Sequence, residues 1–149
     1  TKKLSNPDLK SETTAKIASI ISKYTKVRKA LLSFQINFAK FPPNGQGAVI
    51  EGRDIGTIVC PEADVKFFID AKIEIRAKRR YKELKNNEKT ISYKDIQQKM
   101  VLRDERDKNR VESPLIKAPE AHFIDTSDLD IEDVFLLARS IIDQTSFAI

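Results

Sequence analysis

Residues 48–69 read AVIEGRDIGTIVCPEADVKFFI and hold three short apolar runs separated by glycines, a proline and charged residues. Short apolar runs bounded in this way are typical of buried strands. The sequence therefore predicts strands at residues 48–50, 57–60 and 65–69. Because helical patterns precede and follow these runs, we expect an α/β domain with a mostly parallel sheet flanked by helices.

The flanking segments carry apolar residues at helical spacing. Ser11 is the predicted N-cap of the first helix. Pro42 must end the second helix, because proline cannot continue one. A last short apolar run, residues 122–124, predicts a further strand. The predicted helices cover residues 11–24, 25–41, 73–87, 93–109 and 131–142.

The composition limits the kind of protein this can be. With 149 residues, 40% of them hydrophobic, the chain is long enough for one domain with a core. Its net charge of +5 suits a negatively charged partner such as nucleic acid, a membrane surface or a phosphorylated ligand. The aromatic residues do not alternate with basic ones as a base-stacking platform requires, so we expect no specific nucleic-acid partner.

Two further observations concern the compartment. No apolar run approaches the roughly 20 residues that span a bilayer, and residues 1–10 lack a secretory signal. The single Cys60 cannot form an internal disulfide, and Cys60 with the single His122 cannot form a zinc cluster. We therefore expect a cytoplasmic protein without a membrane partner, with no metal site in this chain and with His122 in a structural role.

Gly52 and Gly56 flank an adjacent Arg53 and Asp54. If residues 48–50 form a strand, this glycine loop lies at its carboxyl end, where α/β sheets bind ligands. Arg53 would then offer a planar fork to a phosphate, and Asp54 would accept hydrogen bonds from a ligand amino group. The alternative is a structural Arg-Asp pair in a tight loop.

Residues 103–110 read RDERDKNR. On a helix, Arg103, Asp107 and Arg110 stand at i, i+4 and i+7, so two guanidinium groups and one carboxylate share a face. That face either lines a site or is a solvated surface with i,i+4 ion pairs.

A third cluster, Arg76, Arg79 and Arg80, also shares one side of a predicted helix. This helix runs into the polar connection formed by residues 86–92. Such a helical hairpin could close over a polyphosphate and exclude water. The alternative is an exposed basic helix.

Together, these stretches resemble the bacterial cytidylate kinases, a family of nucleoside monophosphate kinases, along nearly the whole chain. The combination of GRDIGT, RDERDKNR and SPL in this order is more specific than any one motif. The matching stretches are IAS at residues 17–19, KVRKALL at 26–32, GRDIGT at 52–57, RAKRR at 76–80, RDERDKNR at 103–110, SPL at 113–115 and IDTS at 124–127.

The resemblance implies ATP-dependent phosphorylation of CMP and dCMP to CDP and dCDP by a monomer, with ATP and Mg²⁺ as cofactors. It implies a P-loop fold with a monophosphate-binding insertion and a mobile lid. By motif, Arg28 and Asp54 read the cytosine edge, and Ser19, Arg103 and Asp107 lie near the pentose. Arg53 and Arg110 are the implied catalytic ligands of the acceptor phosphate, and Arg76, Arg79 and Arg80 belong to the lid beside the ATP phosphates.

The resemblance also divides the single expected domain into four parts. Residues 1–47 would be the end of the monophosphate-binding insertion with its connecting helices, and residues 48–70 the core strands with the glycine loop. Residues 71–110 would form the helical lid region, and residues 111–149 the C-terminal strand and helix.

One departure from the family is large. The P-loop motif G-x-x-x-x-G-K-[ST], which cradles the ATP phosphates and holds Mg²⁺ through its hydroxyl, is absent from these 149 residues. We therefore expect the chain to be the C-terminal portion of a kinase whose N-terminal P-loop unit is missing, and to be inactive alone. Two alternatives stay open: a catalytically silent nucleotide-binding fragment and a basic nucleic-acid-binding module.

Overall fold

The computed structural model describes residues 11–22, 24–43, 45–85 and 92–146. The chain divides into two compact units, Thr1–Ile50 and Glu51–Ile149. The expected grouping of all 149 residues into one domain of four parts stays a prediction. Within the described ranges, no helix is both long enough and apolar enough to cross a lipid bilayer.

Where the structure describes the first unit, the chain forms the helices α1 (Glu12–Ile21) and α2 (Thr25–Lys40). Ser11 caps α1 as predicted, since its Oγ accepts a hydrogen bond from the backbone N–H of Thr14 at 3.2 Å. α2 ends just before Pro42, and the backbone N–H of Phe41 makes the closing hydrogen bond to the Asn37 carbonyl at 2.8 Å. Both predicted helices are confirmed.

The described residues of the second unit form two strands and three longer helices. The strands β1 (Phe67–Asp70) and β2 (His122–Asp125) pair in parallel, with Phe67 opposite His122 and Asp70 opposite Asp125. The α/β class and the predicted strands near residues 65–69 and 122–124 are confirmed. The helices are α3 (Ile73–Lys85), α4 (Tyr93–Asn109) and α5 (Ile131–Ser146).

Two predicted strands are wrong. Residues 48–50 have no strand partner within the described part of the chain, and Val49 is fully exposed. The segment Ile55–Val59 forms a π-helical turn instead of a strand over residues 57–60. The backbone N–H groups of Val59 and Cys60 donate five residues back, to the carbonyls of Asp54 and Ile55 at 3.2 and 2.7 Å. Because this turn uses those donors, they cannot pair with a strand.

α3 and α4 pack together around a small core of buried Ala77, Leu84 and Ile96. Tyr81 and Tyr93 meet edge to face beside it, with ring centroids 6.2 Å apart. The predicted helical hairpin therefore has its two arms in contact. Its polar connection at residues 86–91 lies outside the described residues.

Candidate functional site

Asp107 is the centre of a cluster that joins the glycine loop to the last turn of α4. Its Oδ2 lies 3.3 Å from Nε of Arg53 and 3.9 Å from Nε of Arg103. Asp107 is 7% exposed, whereas both arginine side chains are partly in solvent. The structure therefore brings two predicted site arginines to the buried carboxylate of a third predicted site residue.

The local backbone explains how the loop presents Arg53. A Cβ on Gly52 would lie 2.8 Å from Cγ1 and 2.9 Å from Cδ1 of Ile55, so only glycine fits there without a shift. The Asp54 carbonyl accepts hydrogen bonds from the backbone N–H groups of Ile58 and Val59 and so closes the π-helical turn. The tight turn fixes the backbone on either side of Asp54, and Arg53 extends towards α4.

A buried lysine ties the same turn to the sheet. The alkyl chain of Lys66 runs beneath Gly56, where an added Cβ would meet Lys66 Cδ at 3.4 Å. The Lys66 ammonium donates to the Pro61 carbonyl and pairs with the Glu120 carboxylate. Burying a charged group is unfavourable unless it is paired, and these two partners compensate it.

Arg110 follows α4 and is held by the returning chain. Its Nε donates to the Ser113 carbonyl, and the backbone N–H of Leu115 donates to the Asp107 carbonyl at 2.8 Å. Ser113 has φ of 51°, in the left-handed region that residues other than glycine rarely adopt. The chain therefore folds back over the end of α4 and places Arg110 close in sequence and in space to Asp107.

Arg76 on α3 lies between two carboxylates. Its Nη2 donates to Asp104 Oδ2 at 2.7 Å, and its Nε lies 3.4 Å from Asp70 Oδ1. Nε also donates to the Ala71 carbonyl at 2.8 Å. The hydrogen bond with Asp104 raises the pKa of Arg76 above its usual value, against the lowering effect of partial burial.

The other two arginines of α3 have different partners. Arg79 donates to the Thr126 hydroxyl at 2.9 Å and to the carbonyls of Thr126 and Leu129 at 2.5 and 3.2 Å. Arg80 pairs with Glu83 one turn along the helix, with Nη1 and Oε2 3.0 Å apart. The three arginines share a helix side as predicted, and the partners described here differ from one arginine to the next.

The carboxyl ends of β1 and β2 carry Asp70 and Asp125 side by side. The Ser127 hydroxyl and backbone N–H both donate to Asp125 Oδ1, at 2.5 and 2.9 Å. These hydrogen bonds lower the pKa of the Asp125 carboxyl. Asp70 accepts a hydrogen bond from the backbone N–H of Ala71. Both carboxylates thus stabilise the turns that leave the sheet.

Two predicted substrate residues lie in the first unit. Arg28 is on α2, and its Nη1 donates to the Ser22 carbonyl at 3.5 Å. Ser19 is in α1, and its side chain lies outside the described part of the structure.

The sequence model of the family described as cytidylate kinase matches residues 1–144. The chain belongs to the cytidylate kinase family. A cytidylate kinase from Paramagnetospirillum magneticum is 48% identical over 139 residues, which are 93% of this chain and 66% of that protein. A cytidylate kinase from Bartonella bacilliformis is 48% identical over 126 residues, which are 85% of this chain and 57% of that protein. One from Mesorhizobium japonicum is 43% identical over 141 residues, with coverage of 95% and 64%.

The chain spans less than two thirds of the length of these curated relatives. Membership of the cytidylate kinase family confirms the resemblance that the motifs predicted, together with an α/β fold of the nucleoside monophosphate kinase type. The matched range includes all the predicted site residues in both units.

Sequence reasoning missed three residues that organise this candidate site. Asp104 lies within the RDERDKNR motif, but helical spacing alone does not show that α3 packs against it. Thr126 lies within the IDTS motif, where a hydroxyl after a strand is a signal for turn hydrogen bonds. Lys66 interrupts an apolar run, and an isolated charge in such a run indicates a buried ion pair.

Proposed function

We propose that this chain forms the monophosphate-binding and lid portions of an enzyme that transfers phosphate from ATP to CMP and dCMP, yielding CDP and dCDP. The observation that carries this proposal is the meeting of Arg53 and Arg103 on the buried Asp107, with Arg110 at the end of the same helix. Arg53, Arg103 and the nearby Arg110 supply guanidinium groups of the kind that bind a phosphate dianion. Family membership supports the nucleotide substrate.

Arg53 and Arg110 are the proposed ligands of the acceptor phosphate. Arg53 contacts Asp107 through Nε, and Arg110 contacts Ser113 through Nε. In both cases we assign the terminal nitrogens of the guanidinium fork to phosphate oxygens, because a planar fork matches two oxygens at once. Asp107 and the Ser113 turn thereby fix the direction of the two forks.

In the proposed reaction, an oxygen of the CMP phosphate forms a bond to the γ-phosphorus, and the bond from that phosphorus to the β-γ bridging oxygen breaks. ATP supplies the transferred group. Because the acceptor is already an anion, the protein needs no general base. Arg53 and Arg110 align the acceptor and offset charge on the transferring oxygens, and one such donor contributes about 3 kcal/mol to the barrier reduction.

The remaining roles follow the motif matches and stay proposals. Arg28 and Asp54 read the cytosine edge, with Asp54 accepting from the exocyclic amino group. Ser19, Arg103 and Asp107 contact the pentose. The lid residues are Arg76, Arg79 and Arg80, and we propose that this part of α3 lies beside the ATP phosphates.

We further propose that a P-loop from outside these 149 residues holds ATP and Mg²⁺, and that these residues alone do not turn over CMP. Among the described residues, no group of three His, Cys, Asp or Glu side chains could hold a metal ion. We expect the complete enzyme to be a cytoplasmic monomer.

The test is an ADP-release assay on the full-length enzyme that contains these residues, with CMP, dCMP and UMP as acceptors. The proposal expects rapid ADP release with CMP and dCMP and much slower release with UMP. CMP-dependent ADP release by residues 1–149 alone would contradict the need for an outside P-loop.

A salt titration separates the alternative functions. A nucleic-acid-binding module would bind oligonucleotides with an affinity that falls steeply with salt and does not depend on the base. A silent nucleotide-binding protein would bind CMP in preference to UMP, yet release no ADP even at full length. Either result would replace the proposed activity.

A further inference from the structure

Arg79 differs from its neighbours on α3 because its described partners are neutral oxygens. Nη1 donates to Thr126 Oγ1 at 2.9 Å, and Nη2 donates to the carbonyls of Thr126 and Leu129 at 2.5 and 3.2 Å. Arg76 and Arg80 instead pair with carboxylates. A phosphate can replace a carboxylate as the partner of an arginine, whereas the partners of Arg79 are parts of the backbone and one buried hydroxyl.

The hydroxyl that Arg79 contacts is itself fixed. Thr126 is 7% exposed, its Oγ1 donates to the Asp70 carbonyl at 3.1 Å, and its backbone N–H donates to the same carbonyl at 2.8 Å. A threonine hydroxyl has one proton to donate and lone pairs to accept with. The Thr126 hydroxyl donates its proton to the Asp70 carbonyl and accepts a hydrogen bond from Arg79, so this buried group is satisfied both as a donor and as an acceptor.

A second link joins the same two chain segments. The backbone N–H of Lys72, just before α3, donates to Ser127 Oγ at 2.8 Å. The segment at residues 126–129 is therefore bonded both to the end of β1 and to the start of the helix that follows it. Arg79, about two turns further along α3, adds its hydrogen bonds to Thr126 and Leu129. Together these contacts fix the angle at which α3 leaves the sheet.

We infer that Arg79 is a positioning residue: by bonding Thr126 and Leu129, it sets where α3 presents Arg76 and Arg80 to the ATP phosphates. This inference rests on the proposed kinase function. It separates Arg79 from the two arginines with which the RAKRR motif groups it. The hydrogen bonds of Arg79 need the planar fork, since one guanidinium reaches three acceptors, and a lysine ammonium cannot reproduce that geometry.

The first test compares Arg79→Lys with Arg79→Ala in the full-length enzyme. A positioning role expects both variants to raise the KM for ATP by a similar factor, about tenfold, because each loses the fork. The KM for CMP should change little. Lys78→Ala is the matched control, because it removes a cation from an exposed position on the same helix, and it should keep the wild-type KM for ATP.

The second test is a double-mutant cycle with Thr126→Val, which removes the hydroxyl and keeps the side-chain shape. Each single variant lowers kcat/KM for ATP by some factor. If Arg79 acts through Thr126, the loss in the double variant Arg79→Ala/Thr126→Val should be smaller than the product of the two single losses, by about threefold or more. Thr126→Ser restores a hydroxyl and should restore most of the activity. If Arg79→Ala fails to fold, Thr126→Val alone is the test variant and should raise the KM for ATP.

Two results would overturn the inference. If Arg79→Lys keeps the wild-type KM for ATP while Arg79→Ala raises that KM, Arg79 acts through its positive charge on a phosphate. If the double variant loses as much kcat/KM for ATP as the product of the two single losses, the contact between Arg79 and Thr126 carries no function. Failure of the wild-type enzyme to phosphorylate CMP is a separate result that removes the proposed function, and the positioning role with it.

Discussion

Oδ2 of Asp107 lies 3.3 Å from Nε of Arg53, and this contact connects the glycine loop to the end of α4. The same oxygen is 3.9 Å from Nε of Arg103. Because one buried carboxylate orients two arginines, a change at Asp107 should affect both the pentose side and the phosphate side of the proposed site.

Asp107→Ala should lower kcat/KM for CMP by about tenfold or more, because Arg53 and Arg103 lose the group that directs them. If Asp107 also accepts from the pentose, the loss should differ between CMP and dCMP, which differ only in the 2′-hydroxyl. Steady-state kinetics with both acceptors measure this. Equal losses for CMP and dCMP would show that Asp107 serves the two arginines and not the pentose.

Arg110→Ala should lower kcat/KM by about a hundredfold or more, since losing one cationic donor to the transferring phosphate costs about 3 kcal/mol of stabilisation. Lys108→Ala, an exposed position on α4, is the control and should stay near wild type. Single-turnover measurements show whether the chemical step is slowed. A loss confined to the melting temperature would mean that Arg110 only braces the Ser113 turn.

Asp54→Asn should weaken phosphorylation of CMP and narrow its advantage over UMP, because an amide can turn to donate or accept. Uracil places a carbonyl opposite Asp54, and an unsatisfied buried acceptor costs roughly 1 to 3 kcal/mol. The Asp54 carbonyl closes the π-helical turn through the backbone, so asparagine should leave that turn intact. An unchanged CMP to UMP ratio with a lower melting temperature would assign Asp54 to the fold.

Gly52→Ala should destabilise the protein by about 1 to 3 kcal/mol, because its Cβ would meet Ile55 Cγ1 at 2.8 Å. Gly56→Ala is the matched control and should cost less, since its Cβ would meet the flexible Lys66 chain at 3.4 Å. Denaturant unfolding measures both. Adding Ile55→Ala removes the clashing atoms, so the double variant should lose less than the two single changes combined. Additive losses would contradict the steric explanation.

Ser127→Ala should destabilise the protein more at neutral pH than in acid. The Ser127 hydrogen bonds lower the pKa of Asp125 in the folded state, so the ionised carboxylate stabilises the fold at pH values above its unfolded pKa, about 3.9. That stabilisation is lost as pH falls through the lower folded pKa. Removing the hydroxyl brings the folded pKa closer to the unfolded value. The stability difference between wild type and Ser127→Ala should therefore be largest near neutral pH and shrink in acid, as followed by unfolding curves between neutral and acidic pH. Asp128→Asn, on the same segment, is the control.

Periodicity predicted the helices well because apolar residues recur along one face of each of them. α1, α2 and α4 begin where the patterns and caps place them, and α5 extends four residues beyond its predicted end at residue 142. The strands at Phe67–Asp70 and His122–Asp125 were also predictable, because each is an apolar run followed by turn residues.

The wrong strand predictions came where the same residue types are compatible with two backbone conformations. Residues 57–60 are apolar and β-branched enough for a strand, yet their N–H groups bond within a π-helical turn. The local pattern of apolar residues does not determine which carbonyl accepts the hydrogen bond of each backbone N–H group. The pairings of Arg76 with Asp104 and of Arg79 with Thr126 depend on packing between elements far apart in sequence. The motifs indicated these arginines, but not their partners.

Lys66 offers a way to watch the glycine loop open. Amine-reactive reagents modify a lysine only when its ammonium can lose a proton and meet the reagent, and Lys66 is 7% exposed with its ammonium held by Pro61 and Glu120. Exposed lysines such as Lys78 and Lys108 should therefore be acylated in seconds to minutes while Lys66 stays protected. The slow rate at which Lys66 becomes labelled would report how often residues 56–61 lift from the sheet. A bound nucleotide that holds Arg53 in place should slow that labelling further.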